Sequence, residues 1–75
     1  SSAASDVYKR QESALDAARI AERGTLLDYE AGLVEILTLL EAQRRRFSTE
    51  EALIQVKVLR RQNRISLALA LAKAV

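Results

Sequence analysis

The side chains that could do chemistry in this chain are its charged ones, and the basic residues are the most regularly spaced. Four cations share the helical spacing i, i+3, i+4 and i+7, namely Lys57, Arg60, Arg61 and Arg64. A second basic run fills positions 44–46. A basic helical stripe can bind nucleic-acid phosphates. No aromatic residue interleaves with it, and Glu50 and Glu51 lie upstream. We therefore favour a solvated face with intrahelical ion pairs and expect no nucleic-acid partner.

The acidic residues indicate no catalytic pair. The carboxylates considered as candidates are Asp16, Glu22, Asp28, Glu30, Glu35 and Glu41. In a thin helical structure these carboxylates are expected to stay close to water, which does not favour acid–base catalysis by any pair of them. The chain has no Cys and no His, which excludes disulfides, the usual zinc sites and Cys- or His-based nucleophilic catalysis. There is no phosphate-binding glycine loop, so we expect neither an enzyme nor a bound cofactor or metal.

The elements that carry these charges must be helices. The chain has 75 residues, no Pro and only two Gly, and Ala, Leu, Glu, Gln and Arg dominate it, as in long helices and coiled coils. A chain this short buries little surface and often needs a partner. The formal net charge of +2 is too small to imply a polyanionic partner by itself.

One strong break divides the helical sequence, at Ala31 and Gly32. Gly is favoured just past a helix end because it adopts the left-handed conformation without a Cβ penalty. The sequence therefore predicts an all-α fold, a long antiparallel helical hairpin of coiled-coil type. Its helices are expected over 12–30 and 34–74, with a turn over 31–33 and Glu35 in the first turn of the second helix. Gly24 is interpreted as a tolerated interruption.

Apolar residues recur on several faces of these helices. On the first helix, spacings of three and four residues predict one face, at Leu15, Ala18, Glu22, Leu26 and Tyr29. The second helix has a heptad row at Leu33, Leu40, Phe47, Ile54, Arg61, Ala68 and Val75. Two further rows are Leu37, Arg44, Glu51, Val58, Ile65 and Ala72, and Leu39, Leu53 and Leu67. Heptad spacing indicates a left-handed coiled coil, and several apolar faces indicate several neighbouring helices.

The N-terminal residues 1–11 are expected to be a disordered or artefactual extension. Ser5 or Asp6 is a possible N-cap, yet positions 6–11 also resemble translated sequencing-adapter read-through, in which case native sequence begins near Glu12. The chain lacks Met even at position 1, so we expect a piece of a longer protein. No signal peptide is visible, and the apolar tail over 65–75 is too short to span a bilayer, which takes about 20 residues.

Two stretches around the turn carry a family resemblance. Positions 29–37 read Tyr-Glu-Ala-Gly-Leu-Val-Glu-Ile-Leu, and positions 40–44 read Leu-Glu-Ala-Gln-Arg. Together they resemble the outer-membrane efflux protein family, the TolC-like outer-membrane factors. In that family a Tyr-x-x-Gly turn closes a long helical hairpin, and a similar Leu-x-Ala-Gln-Arg segment follows in the returning helix. The resemblance covers positions 13–72.

The resemblance implies an outer-membrane location, with this segment in the periplasm. Family members are homotrimers whose chains contribute long helices to a periplasmic α-barrel and strands to a membrane β-barrel, the only membrane contact. They act with a periplasmic adaptor protein and an inner-membrane pump. By position, Ala31, Gly32 and Leu33 would contact the adaptor at the hairpin tip, and Tyr29 would lie at the channel constriction.

The sequence departs from the family pattern in places. Some members tie the closed tip with an Arg two residues after the turn Gly, where this chain has Val34. The strands and the glycine-rich ending that follows the returning helix are absent from this piece. Tyr29 has a simpler interpretation as an aromatic residue at the helix end that covers the turn. For Gly32, the simpler interpretation is capping of the helix, which is compatible with docking of the adaptor. The alternative function is a stand-alone coiled-coil interaction module.

Overall fold

The computed structural model describes residues 2–75, apart from the side chains of Ser2 and Ala4. It contains two helices, α1 over Ser2–Glu30 and α2 over Ile36–Ala74. They fold back on each other, so the predicted helical hairpin is confirmed. The principal extents of 65 × 18 × 11 Å describe a thin rod. Its radius of gyration is 18.3 Å, against roughly 11 Å for a compact chain of this length.

The start of α1 differs from the predicted one. The helix begins at Ser2 rather than Glu12, so the disorder expected for residues 1–11 is wrong for residues 2–11, and Ser1 lies outside the described residues. No Pro or Gly occurs before Gly24, and propagation of an established helix adds one hydrogen bond per residue ordered. The resemblance of positions 6–11 to adapter read-through stays a prediction.

The start of α2 also differs slightly. The turn continues through Glu35, so α2 begins at Ile36 rather than at Val34. Glu35 is the N-cap in an extended conformation, with φ −83° and ψ 161°, and its side chain makes no capping hydrogen bond. Its carbonyl accepts the amide of Thr38 at 3.0 Å. Glu35 therefore precedes the first turn of α2, in which it was expected.

The two helices meet along one heptad seam. Buried or half-buried residues follow spacings of three and four on α1 at Tyr8, Gln11, Leu15, Ala18, Glu22 and Thr25. They do so on α2 at Leu39, Ala42, Arg46, Thr49, Leu53, Val56 and Arg60. We call these residues the seam. Leu15, Leu39 and Leu53 are the buried apolar residues among those described.

Two contacts between the helices define the register of the seam. Glu22 pairs with Arg46, and Tyr8 lies under Arg60. Tyr8 and Glu22 are two heptads apart on α1, and their partners are two heptads apart on α2 in the opposite direction. The midpoint of this antiparallel register places Leu15 opposite Leu53, and both are buried.

Of the three apolar rows predicted on α2, the shortest lies in the seam. Leu39 and Leu53 are buried, whereas Leu67 belongs to residues 61–75, which are all exposed. In the register described above, Leu67 lies where α2 extends beyond the start of α1. On α1, Leu15, Ala18 and Glu22 lie in the seam as expected. Leu26 is exposed, because the next seam step after Glu22 is three residues long and reaches Thr25.

The rod exposes more surface than an ordinary domain of its mass. Its accessible area is 6091 Å², whereas a folded monomer of 8.3 kDa is expected to expose roughly 4,600 Å². None of the helices described for residues 2–75 combines the length and apolarity needed to cross a membrane.

Candidate functional site

The hairpin tip is closed by a Schellman motif. Gly32 has φ +77° and donates its amide to the Tyr29 carbonyl at 3.0 Å. The Leu33 amide donates to the Asp28 carbonyl at 2.8 Å, and the Ala31 amide donates to the Leu27 carbonyl at 3.0 Å. These bonds satisfy the last carbonyls of α1 and fix the direction in which the chain leaves it. The tip is therefore a defined backbone structure.

The tip exposes large apolar side chains. Leu33 is 73% exposed and Leu37 is 70% exposed. Leu27 and Ile36 are also exposed beside them. A Schellman turn often buries the side chain at the position of Leu33 against the helix, and here that side chain faces solvent. The turn thus presents an apolar surface that its own fold does not cover.

The predicted site residues all lie at this tip. Ala31, Gly32 and Leu33 are adjacent and exposed in the turn, as docking requires. Tyr29 lies in the last turn of α1 at the next heptad step of the seam, and it is 39% exposed. Its backbone carbonyl belongs to the Schellman motif. The location of Tyr29 at a channel constriction stays a prediction. The simpler interpretation, in which the Tyr29 side chain covers the turn, also stays a prediction.

The charge around the tip is of one sign. Between Arg23 and Arg44 the chain has no Lys or Arg, and its charged residues there are Asp28, Glu30, Glu35 and Glu41. Glu41 pairs with Arg45 at 3.7 Å. A surface that docks on the tip therefore meets apolar side chains flanked by carboxylates.

A second uncovered surface runs along α2. We call it the outer row, and it comprises the exposed apolar residues Leu37, Leu40, Phe47, Ile54, Val58 and Ile65. If Leu39 and Leu53 occupy heptad position a, the outer row falls at b and f, which face away from the hairpin partner. These positions are ordinarily polar. Phe47, at 60% exposure, is the largest apolar side chain in the row.

The basic stripe lies at the end of the rod away from the tip. Lys57, Arg60, Arg61 and Arg64 line a shallow open groove with Tyr8. The Arg60 guanidinium lies 4.6 Å from the centre of the Tyr8 ring. Within residues 2–75 none of the four cations has a carboxylate oxygen within 4.0 Å. The intrahelical ion pairs predicted for the basic clusters are therefore found only in the run 44–46.

Sequence reasoning missed a charged layer inside the seam. Arg46 Nε donates to Glu22 Oε2 at 2.9 Å across the hairpin, and another nitrogen of Arg46 lies 3.5 Å from Glu50. Hydrogen bonding to Glu22 raises the pKa of Arg46, and the nearby charges of Glu22 and Glu50 add to this effect while partial desolvation opposes it. The signal was available, because Glu22 and Arg46 each occupy a position where a coiled coil ordinarily has an apolar residue.

The same guanidinium touches the outer row. Arg46 Cζ lies 4.1 Å from the centre of the Phe47 ring, so the charged layer and the largest outer residue are in contact. No group of three or more His, Cys, Asp or Glu residues suited to a metal ion occurs in the part of the chain that the structure describes.

Comparison of the chain with protein-family models, with curated proteins and with solved structures finds no match.

Proposed function

We propose that this chain is a periplasmic hairpin of a trimeric outer-membrane efflux or secretion channel. The observation that carries the proposal is the tip. The segment that resembles the efflux family, Tyr29 to Leu33, is the one that forms a fixed and exposed apolar turn. In this proposal Ala31, Gly32 and Leu33 dock the periplasmic adaptor, and Tyr29 narrows the channel.

The outer row supports the same proposal. A helix in an α-barrel packs against neighbours on both sides, whereas a helix in an isolated hairpin needs one apolar face. Here α2 has the seam on one side and Leu40, Phe47 and Ile54 exposed on another. The excess accessible surface of the rod is consistent with partners that cover this second face.

The first test is the complete gene in its source DNA. The proposal expects amphipathic strands flanking this hairpin and a second, similar hairpin upstream. An intact gene with a Met start close to Ser1 and a stop at Val75 would exclude it. That outcome would leave the stand-alone coiled-coil interaction module as the function.

The second test addresses the tip in the complete protein. A photo-crosslinking residue at Leu33 is expected to capture the cognate adaptor, and L33D is expected to abolish export without lowering protein abundance. The matched control is Q62D, because Gln62 is exposed and lies far from the tip. Equal loss of export in both variants would contradict a docking role for Leu33.

A further inference from the structure

Charged side chains occupy one layer of the seam between layers of leucine. Glu22 of α1 faces Arg46 of α2, and the layer one heptad away pairs Leu15 with Leu53. We propose that the Glu22–Arg46 layer selects the register of the hairpin, so that the helices pair in one alignment and not in an alignment one heptad away. This role concerns the hairpin itself and is independent of the proposed channel function.

The layer is a connected network. Arg46 bridges Glu22 of the other helix, at 2.9 Å, and Glu50 of its own, at 3.5 Å. Arg19 of α1 reaches Glu50 at 3.6 Å. Two carboxylates and two guanidinium groups thus alternate across the seam. The side chains of Arg46 and Glu22 are only 21% and 24% exposed, so water replaces their mutual contact poorly.

A slip by one heptad is otherwise well tolerated. If the turn moves towards the N-terminus by half a heptad, Gly32 still lies within it. Leu53 then moves opposite Tyr8, which is again an apolar pair. Four of the six intervening seam residues are small, namely Ala18, Thr25, Ala42 and Thr49, and the other two are Gln11 and Val56. These layers do not distinguish the two registers strongly, although the slip breaks the hydrogen bonds of the Schellman motif at Gly32.

The charged layer does distinguish them. The slipped register places Leu39 opposite Glu22 and Leu15 opposite Arg46, so both charges face leucine. A charge that loses its partner in a partly buried position is strongly unfavourable, whereas an apolar pair at the same place is often more stable than the ion pair. Polar residues at seam positions are known to specify register at a cost in stability.

The test measures register and stability separately. The chain has no Cys, so S13C with Q55C introduces two spin labels at exposed positions that lie at the same level of the rod in the observed register. Pulsed electron spin resonance then reports their separation, with unlabelled chain in excess to suppress distances between molecules. A slip by one heptad displaces the labels by about 10 Å along the rod.

Four chains decide the outcome. The parent chain is expected to give one short distance. E22L with R46L is expected to unfold at a higher temperature and yet to give a second, longer distance, because positions 22 and 46 then form apolar layers in both registers. The full reversal R19E, E22R, R46E and E50R is expected to restore the single short distance, whereas E22R alone is expected to lose it.

Two results would overturn the proposal. The first is a single short distance in E22L with R46L, which would mean that the turn alone sets the register. The second is a broad or double distance in the parent chain. If the leucine variant is more stable and still gives a single distance, the charged layer lowers stability without selecting the register.

Discussion

Leu39 and Leu40 are neighbours in sequence, yet Leu39 is 5% exposed and Leu40 is 49% exposed. The pair therefore separates the seam from the outer row at one place in α2. L39A removes a buried leucine and is expected to destabilise the monomer by about 2–3 kcal/mol. L40A, the matched control, is expected to cost less than about 1 kcal/mol. Urea unfolding at low protein concentration measures the free energy of unfolding of both variants. Equal losses of stability would contradict the assignment of Leu39, and not Leu40, to the seam.

The two glycines predict opposite effects of the same substitution. Gly32 has φ +77°, so G32A is expected to destabilise the hairpin by about 1–2 kcal/mol. Gly24 lies within α1, and an added Cβ would meet no atom within 4 Å. G24A is therefore expected to stabilise the hairpin by about 0.5–1 kcal/mol. Thermal unfolding followed by circular dichroism compares them, and a stabilising G32A would refute the left-handed turn.

The outer row predicts self-association of the isolated chain. The whole chain has an accessible area of 6091 Å², which exceeds the roughly 4,600 Å² expected for its mass. Helicity and thermal midpoint should therefore rise with protein concentration. F47Q is expected to weaken association at least several-fold in sedimentation equilibrium, because Phe47 is the largest apolar residue in the row. Q55E is the control, and equal weakening by both would argue against the row as the interface.

Two of the three glutamates that pair with arginines, Glu22 and Glu41, are expected to differ in importance. E22Q removes the half-buried partner of Arg46 and should lower the thermal midpoint clearly. E41Q removes an exposed partner, whose ion pair to Arg45 spans 3.7 Å, and should change stability by less than about 0.5 kcal/mol. Added salt should reduce the E41Q effect further. Indistinguishable midpoints for E22Q and the parent chain would contradict the charged layer.

The raised pKa of Arg46 predicts how the stabilisation by the charged layer depends on pH. Glu22 raises this pKa by hydrogen bonding to the charged guanidinium. A group whose pKa is raised on folding stabilises the fold below its unfolded pKa, and that stabilisation is lost as pH rises through the folded pKa. The ion pair should therefore persist through mildly alkaline pH. The free energy of unfolding of the parent chain and of E22Q is measured as pH rises. If the difference between the two chains is already lost near pH 9, the expected persistence of the ion pair is contradicted.

Much of the fold could be predicted from local features. The absence of Pro and the single Ala31-Gly32 break specify two helices, and Gly32 forms the turn as expected. The helix starts were less accurate. Nothing in the composition of positions 2–11 opposes a helix, so α1 extends to Ser2, and the turn extends to Glu35 because the chain needs those residues to reverse direction.

The candidate site was predictable in part. The exposure of Leu33 follows from its place in a short turn, whereas the charged layer of Glu22 and Arg46 did not follow from one-dimensional spacing. Arg46 lies on the heptad row of Leu39 and Leu53, but the sequence offers three apolar rows on the second helix and does not indicate which of them faces the other helix. That choice depends on the pairing of two helices whose contacting residues are far apart in the chain.

The sequence by itself determined that this protein is a helical hairpin with more apolar faces than one partner can cover. Heptad spacing and helix propensity are local properties, and they are fixed before the helices meet. Only the tertiary structure decided which row is buried. The seam uses Leu39 and Leu53 and leaves Leu40, Phe47 and Ile54 exposed. This choice places Arg46 opposite Glu22, where pairing of opposite charges compensates the desolvation of both.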